Sequence, residues 1–288
     1  MIAILGATGY VGSHYLSYLR TRGIACEGLS RAELDYADFS TFLGWLKDRR
    51  PDFVINAAGY TGKPNVDACE LNKAECLFGN AVLPGRIRQA CEETKTPWGH
   101  VSSGCVYQGR PAPDLGWTED DQPNFSFRSP PCSFYSGTKA LGEEMLTGAA
   151  NCYVWRLRVP FNHEDSNRNY LTKLLQYDRL LDVENSLSHL DDYVAATFAC
   201  WEKQIPFGLY NVVNPGAVTT RQVVEWIKEA GLTAKEFSFF ESEREFMQEA
   251  GRTPRSSCVL DSSKIIDAGV PLRPVEEACR DSLRRMAN

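Results

Sequence analysis

In the stretch YSGTK, Tyr135 and Lys139 stand four residues apart, about one turn of a helix, so both side chains would leave the same face. A phenol with its ordinary pKa of about 10 is a poor acid or base at neutral pH. A lysine ammonium beside it favours the phenolate and is expected to bring that pKa down. Ser103, at the end of the apolar run WGHVSS, adds a hydroxyl that can hydrogen-bond a substrate carbonyl. Together the three can polarise a ketone and hand its oxygen a proton while hydride arrives at carbon. Asn80, in GNAVLPG, is placed to bridge to the lysine through a water. A tyrosine and a lysine at this spacing are common, and the alternative for Tyr135 is an ordinary helix aromatic. The assignment gains weight from order: the set follows a glycine loop and a serine-ended strand. Cys105, two residues past Ser103, has no such reason to sit where the chain leaves a sheet. Its ordinary explanation is a small apolar plug, since free cysteines are mostly core residues.

The glycine loop is GATGYVG, with Gly6, Gly9 and Gly12 directly after a first apolar run and leading into a helical pattern. The first glycine permits a tight turn, the second lets backbone approach a pyrophosphate, and the third lets helix and strand pack closely. The helix N-terminus then attracts the phosphates. Thr8, Tyr10 and Val11 belong to the same loop and are expected to contact the dinucleotide. An acid closing the second strand would select NAD through the ribose 2′-hydroxyl. Here Ser30 and Arg31 occupy that place, and a hydroxyl with a guanidinium suits a 2′-phosphate. NADPH is therefore expected, and NADH stays open if Arg31 is only a solvated loop residue.

These residues need a scaffold. The chain has 288 residues, 43% hydrophobic and 24% charged, with a formal net charge of −6. That is enough for one large domain, or one with a smaller lobe. No basic stripe favours nucleic acid, and no apolar run is long enough for a membrane span. The ten cysteines form no CxxC pair, so a structural zinc site is not expected and no metal ligand is assigned. Met1 runs straight into IAIL without a charged leader, which points to a cytoplasmic protein with reduced thiols.

Short apolar runs alternate with helical patterns: MIAIL, then YVGSHYLSYLRTRG; IACEGLS, then DFSTFLGWLKDRRP; DFVINAAG, then one helix from about 66 to 93. WGHVSS, the helix of CSFYSGTKALGEEMLTG and the strand CYVWRLRV follow. The spacing of NRNYLTKLLQYDRLL predicts a helix, LSHLDDYVAATFACWEK a strand becoming a helix, and GLYNVVNPG a strand and turn. Continuous apolar strands alternating with helices mean an α/β fold, a Rossmann-type doubly wound parallel sheet with ligands at the carboxyl edge. The Pro- and Asp-rich loop 108–131 sits at that edge and is expected to be functional or mobile. Residues 1–160 would form the dinucleotide domain, with about 186–213 returning to it. Residues 161–185 and 214–288 would form a smaller C-terminal substrate lobe.

GATGYVG, NAAG, SSGCVY and YSGTK in this order resemble the extended short-chain dehydrogenase/reductase family. Within it, TGKPNVDACE, FYSGTKA, WRLRVP, RNYLTK, NVVNPG and PRSSCVLDSSK resemble the nucleotide-sugar reductases of rhamnose synthesis. The plant-type UDP-4-keto-6-deoxyglucose 3,5-epimerase/4-reductases are the nearest in pattern. The likeness spans about residues 6 to 264 and is loosest in the C-terminal lobe.

The resemblance implies further roles. Ala57, Ala58, Gly59 and Pro160 would join the cofactor site, with Asn80, Tyr135 and Lys139 at its nicotinamide end. Thr61, Asn65, Asn169 and Arg255 would bind substrate, Arg255 meeting the diphosphate as a bidentate partner. Asp67 stands between a substrate contact and a helix cap. Arg158 is read as structural, and His163 and His189 are assigned nothing. Cys105 becomes an epimerisation residue that also touches substrate, with Lys173 of RNYLTK as its partner. A 4-keto group acidifies the C3 and C5 protons, and inversion needs removal on one face and return on the other. Lys173 is expected to be the cation that lowers the thiol's pKa, and the opposing acid.

Three functions follow: a bifunctional epimerase/reductase making a nucleoside-diphosphate rhamnose, with a UDP sugar placed first and NADPH; a reductase alone, of the dTDP-4-dehydrorhamnose type; or a non-catalytic NADP-binding regulator. The complete Ser103, Tyr135 and Lys139 set argues against the last. A homodimer through the helices near 66–93 and 133–148 is open.

Overall fold

The computed structural model describes residues 1–63 and 65–287. Five short strands alternate with helices: β1 (Ile2–Leu5), β2 (Cys26–Leu29), β3 (Phe53–Asn56), β4 (Trp98–Ser103) and β5 (Cys152–Leu157). With the strand Gly208–Asn211 they form a six-stranded sheet. Its order is β2-β1-β3-β4-β5 and then Gly208–Asn211, and every pairing is parallel. β1 and β3 are wholly buried runs of apolar residues closing on Asn56, as a sheet covered on both faces requires. The order reverses at β1, so the chain leaves β1 and β3 in opposite directions and opens a crevice at their carboxyl ends.

The two faces carry separate cores. On one, Tyr15 and Leu19 of helix α1 (Tyr10–Thr21) pack with Tyr193, Val194 and Phe198 of the helix Leu190–Glu202 over Phe53 and Trp155. On the other, Phe42 and Leu46 of helix α2 (Phe39–Arg49) pack with Leu83 and Ile87 over Leu5 and Val54. Asp38 caps α2 by accepting from the Thr41 N–H at 2.8 Å. A third cluster lies beyond the sheet, where Leu171, Leu174 and Leu180 meet Val223, Ile227 and Leu283. It is built by the helices Tyr170–Gln176, Thr220–Glu229 and Val275–Ala287.

Two sequence expectations need correction. The helix expected over 66–93 is broken. Short helices Ala68–Leu71 and Lys73–Leu77 meet at Asn72, whose ψ of 58° is not helical. A π-helical turn, Phe78–Val82, then leads into the helix Leu83–Thr94. The extra residue in that turn helps bury Asn80, whose side chain holds the backbone of Tyr60. The helix expected over 167–181 covers only Tyr170–Gln176; Arg179–Leu180 instead pairs in parallel with Ser238–Phe239. Loop 108–131 is stitched down rather than free: Trp117 donates to Val259 O at 2.8 Å and stacks on Tyr107.

Candidate active site

The glycine loop follows β1 directly. Gly6 has φ of +75°, a left-handed conformation that glycine adopts without penalty. A Cβ at Gly12 would lie 2.2 Å from Gly6 O, so only glycine lets α1 approach the turn this closely. Gly9 begins α1 without a side-chain cap, which leaves the first N–H groups of the helix open. A cleft of about 600 Å³ lies over this end of the sheet. Gly6, Thr8, Gly9, Ser30 and Arg31 line it, with Ala57, Ala58 and Gly59 from the end of β3. A pyrophosphate fits this cradle of uncapped N–H groups and bare backbone. Tyr10, Val11 and Gly12 do not line the cleft; Gly12 shapes it from behind, and the Tyr10 hydroxyl reaches Asn162.

A second cleft, about 420 Å³, gathers the other set: Ser103, Cys105, Tyr135, Pro160, Lys173 and Arg255 all line it. β4 brings Ser103 to the sheet edge, and its hydroxyl accepts from the Cys105 N–H at 3.3 Å. That bond caps the 3-10 turn Gly104–Val106, so the strand end itself presents the cysteine. Tyr135 stands in the first turn of the helix Phe134–Met145, which Ser133 caps by accepting from the Ser136 N–H at 3.0 Å. This helix packs on the π-helical turn, and a Cβ at Gly142 would lie 2.1 Å from Asn80 O. Val159, β-branched yet at φ +40°, turns the chain after β5 so that Arg158 and Pro160 both line the cleft.

Four expectations about side chains are corrected or narrowed by the geometry. Lys139 is buried and donates to Val101 O at 3.0 Å, and burial lowers its pKa. Tyr135 is pushed up, chiefly by burial and then by Cys105, with Ser103 opposing, so the net shift is opposite to the one expected from Lys139. Asn80 accepts from Tyr60 N at 2.9 Å and donates to Tyr60 O at 2.8 Å and Thr138 Oγ1 at 3.2 Å. Both amide hydrogens are thus committed, and a second lone pair on Oδ1 is what it has left for a bridging water. Asn169 is fully buried and caps the helix Tyr170–Gln176, donating also to Asn162 O and Glu164 O, so it does not face the cleft.

Cys105 departs from expectation as well. Burial raises its thiol pKa; Ser103, Arg158, Ser136 and Lys139 oppose this, and Lys173 is not among them. Burial lowers Lys173, and the neighbouring Arg168 and Arg255 lower it further. Both groups are thus driven toward their neutral forms, a free amine and a protonated thiol.

Asn65 accepts from the Asp67 N–H at 2.9 Å and orders its own loop, while Thr61 lies exposed outside the cleft. Asp67 is no helix cap: it pairs with Arg255 at 2.6 Å. Arg158 was read as structural, yet it lines the cleft beside Cys105 while holding Asn185 and Ser256 O. Arg168 also lines it and donates to Gly62 O at 2.6 Å. The cations crowded into WRLRVP and NRNYLTK were the available signal. Among the described residues no group of three or more His, Cys, Asp or Glu could hold a metal, and no helix is long and apolar enough to cross a membrane.

The family model for the RmlD substrate binding domain matches residues 1–288. An Arabidopsis thaliana protein named bifunctional dTDP-4-dehydrorhamnose 3,5-epimerase/dTDP-4-dehydrorhamnose reductase is 30% identical over 284 residues, 96% of this chain and 89% of that one. A trifunctional Arabidopsis UDP-glucose 4,6-dehydratase/UDP-4-keto-6-deoxy-D-glucose 3,5-epimerase/UDP-4-keto-L-rhamnose-reductase is 30% identical over 268 residues; the match spans 91% of this chain and 38% of that one. The crystal structure of the UDP-rhamnose synthase of Acanthamoeba polyphaga mimivirus superposes with a TM-score of 0.90, at 22% identity and 99% coverage of both chains. The doubly wound sheet with its glycine loop, and the match over the whole length, place this chain in the RmlD substrate binding domain family.

Proposed function

We propose that this chain is an NADPH-dependent bifunctional enzyme, a 3,5-epimerase and 4-reductase. Its substrate would be a nucleoside-diphosphate 4-keto-6-deoxyglucose, with the UDP sugar first, and its product the corresponding L-rhamnose nucleotide. The observation that carries this reading is the second cleft, which Cys105 and Lys173 line together with Ser103 and Tyr135. A plain ketone reductase has no need of the first pair.

In this reading the Lys173 amine removes the proton that the 4-keto group acidifies and the Cys105 thiol returns one, and the resulting ammonium and thiolate exchange protons with solvent before the second inversion. Ser103 and Tyr135 hold the enolate oxygen through both inversions. The bound dinucleotide supplies hydride to C4. Tyr135, which burial keeps as a neutral phenol, then protonates O4. Arg158, Arg168 and Arg255 give the cleft a cationic wall suited to a diphosphate. The two-lobe division, 1–160 with 186–213 and then 161–185 with 214–288, belongs to the same proposal; the cluster of Leu171, Val223 and Leu283 supports it, although Ile265 and Val270 pack into the core of the sheet. Ten unpaired cysteines accord with the reducing cytoplasm. Exposed Leu71, Val82 and Met145 support a homodimer through the helical segments that carry them.

The test is incubation with the 4-keto sugar in deuterated water without NADPH. Deuterium entering C3 and C5 is expected. No uptake from a protein that reduces the pre-epimerised sugar leaves a reductase alone.

A further inference from the structure

At the end of β2 the first cleft is lined by Ser30 and Arg31, the two residues that would meet the adenosine ribose. Ser30 is not free. Its backbone N–H and its hydroxyl both donate to one oxygen, Oε2 of Glu33, each at 2.7 Å. Glu33 is exposed, and these two bonds hold its carboxyl below the usual range, so it is an anion at neutral pH. Asp35, the next acid, is turned away and accepts from the Ala37 N–H. A carboxylate therefore already sits on the donors that a ribose 2′-phosphate would use. The phosphate carries about −1.5 to −2 charges at neutral pH and would meet that carboxylate at contact distance.

We propose that Glu33 sets the choice between NADPH and NADH: a 2′-phosphate must displace its carboxylate from Ser30, whereas a 2′-hydroxyl can donate to it. Arg31 draws the phosphate in and Glu33 opposes it, which narrows the preference for NADPH over NADH. This rests on the dinucleotide reading above and adds the residue that tunes it.

Glu33→Gln is the sharp test, because the amide keeps an acceptor oxygen for Ser30 and removes only the charge. Fluorescence titration with NADPH and with NADH, without sugar, reads binding apart from turnover. Removing one like charge at contact in water corresponds to about a fivefold change. Glu33→Gln is expected to tighten NADPH by at least that factor and to leave NADH no tighter. Arg31→Ala is expected to weaken NADPH selectively. If the two dinucleotides change together in Glu33→Gln, or neither changes, Glu33 does not tune the site and this proposal fails alone. A wild-type chain that binds neither dinucleotide overturns both this proposal and the dinucleotide reading.

Discussion

Ser103 and Cys105 bring the two proposed chemistries to one strand end. The bond from the Cys105 N–H to the Ser103 hydroxyl fixes the turn, so both side chains reach the same cleft. Spacing and order along the chain nominate Ser103, and the family resemblance nominates Cys105. The protonation states were not legible, because they depend on which side chains arrive from elsewhere in the chain. Burial favours the neutral thiol of Cys105 and the neutral amine of Lys173. A neutral amine as base and a thiol as acid give a bell-shaped exchange profile. Exchange should rise with pH as Lys173 loses its proton and fall as Cys105 loses its own. Cys105→Ser is expected to remove the falling limb, since a serine hydroxyl stays protonated. Cys105→Ala should lose exchange yet reduce the pre-epimerised sugar; normal exchange in that variant would refute the role given to Cys105. Tyr135→Phe should lose most reduction, on the order of 10²–10⁴-fold, as expected when a general acid is removed.

The segment 65–94 is where helical periodicity misled at the level of elements. Apolar spacing runs through Asn72 and the π-helical turn without a visible break, because the break serves partners far away in sequence. Glu70 is the clearest of these. One oxygen of its carboxylate accepts from the Phe134 N–H, at the start of the helix that carries Tyr135, and from Thr253 Oγ1, both at 2.7 Å. Asp67 holds Arg255 from the same loop. These two acids therefore join the β3 loop, the Tyr135 helix and the 252–255 segment around the cleft. Glu70→Ala should loosen the first turn of that helix and lower kcat for reduction roughly ten- to hundredfold, as small misplacements of a reacting group do. Dinucleotide affinity should be unchanged, because Glu70 does not line the first cleft. Glu70→Gln keeps an acceptor oxygen and should recover much of the rate. Loss of dinucleotide binding in Glu70→Ala would instead mean that the mutation unfolds the domain.

The whole molecule is held by contacts that no local pattern announces. The sheet could be inferred from five apolar runs, since buried parallel strands read as continuous apolar sequence. The small strands after β5 could not, because they exist only as two-residue pairings with distant segments. One hub couples the C-terminal segments to a helix that covers the sheet. Asp192, in the first turn of the helix Leu190–Glu202, pairs with Arg273 at 2.7 Å and accepts from Asn214 at 2.8 Å, with His189 at 3.2 Å. Burial alone would raise its carboxyl, but His189, Arg273 and Asn214 outweigh it and bring the pKa from 3.8 to about 2. A carboxyl depressed on folding contributes stability above its unfolded value, and that stability is lost as pH falls through the folded one. The contribution is about 2 kcal/mol at neutral pH, disappearing between about pH 4 and pH 2. Asp192→Asn should therefore lower the melting temperature at pH 7 by ~4 °C. The two proteins should converge near pH 2, where the wild-type carboxylate is protonated. Melting curves at pH 7, 4 and 2 decide it: a constant difference across that range would show that Asp192 acts through packing and not through its charge.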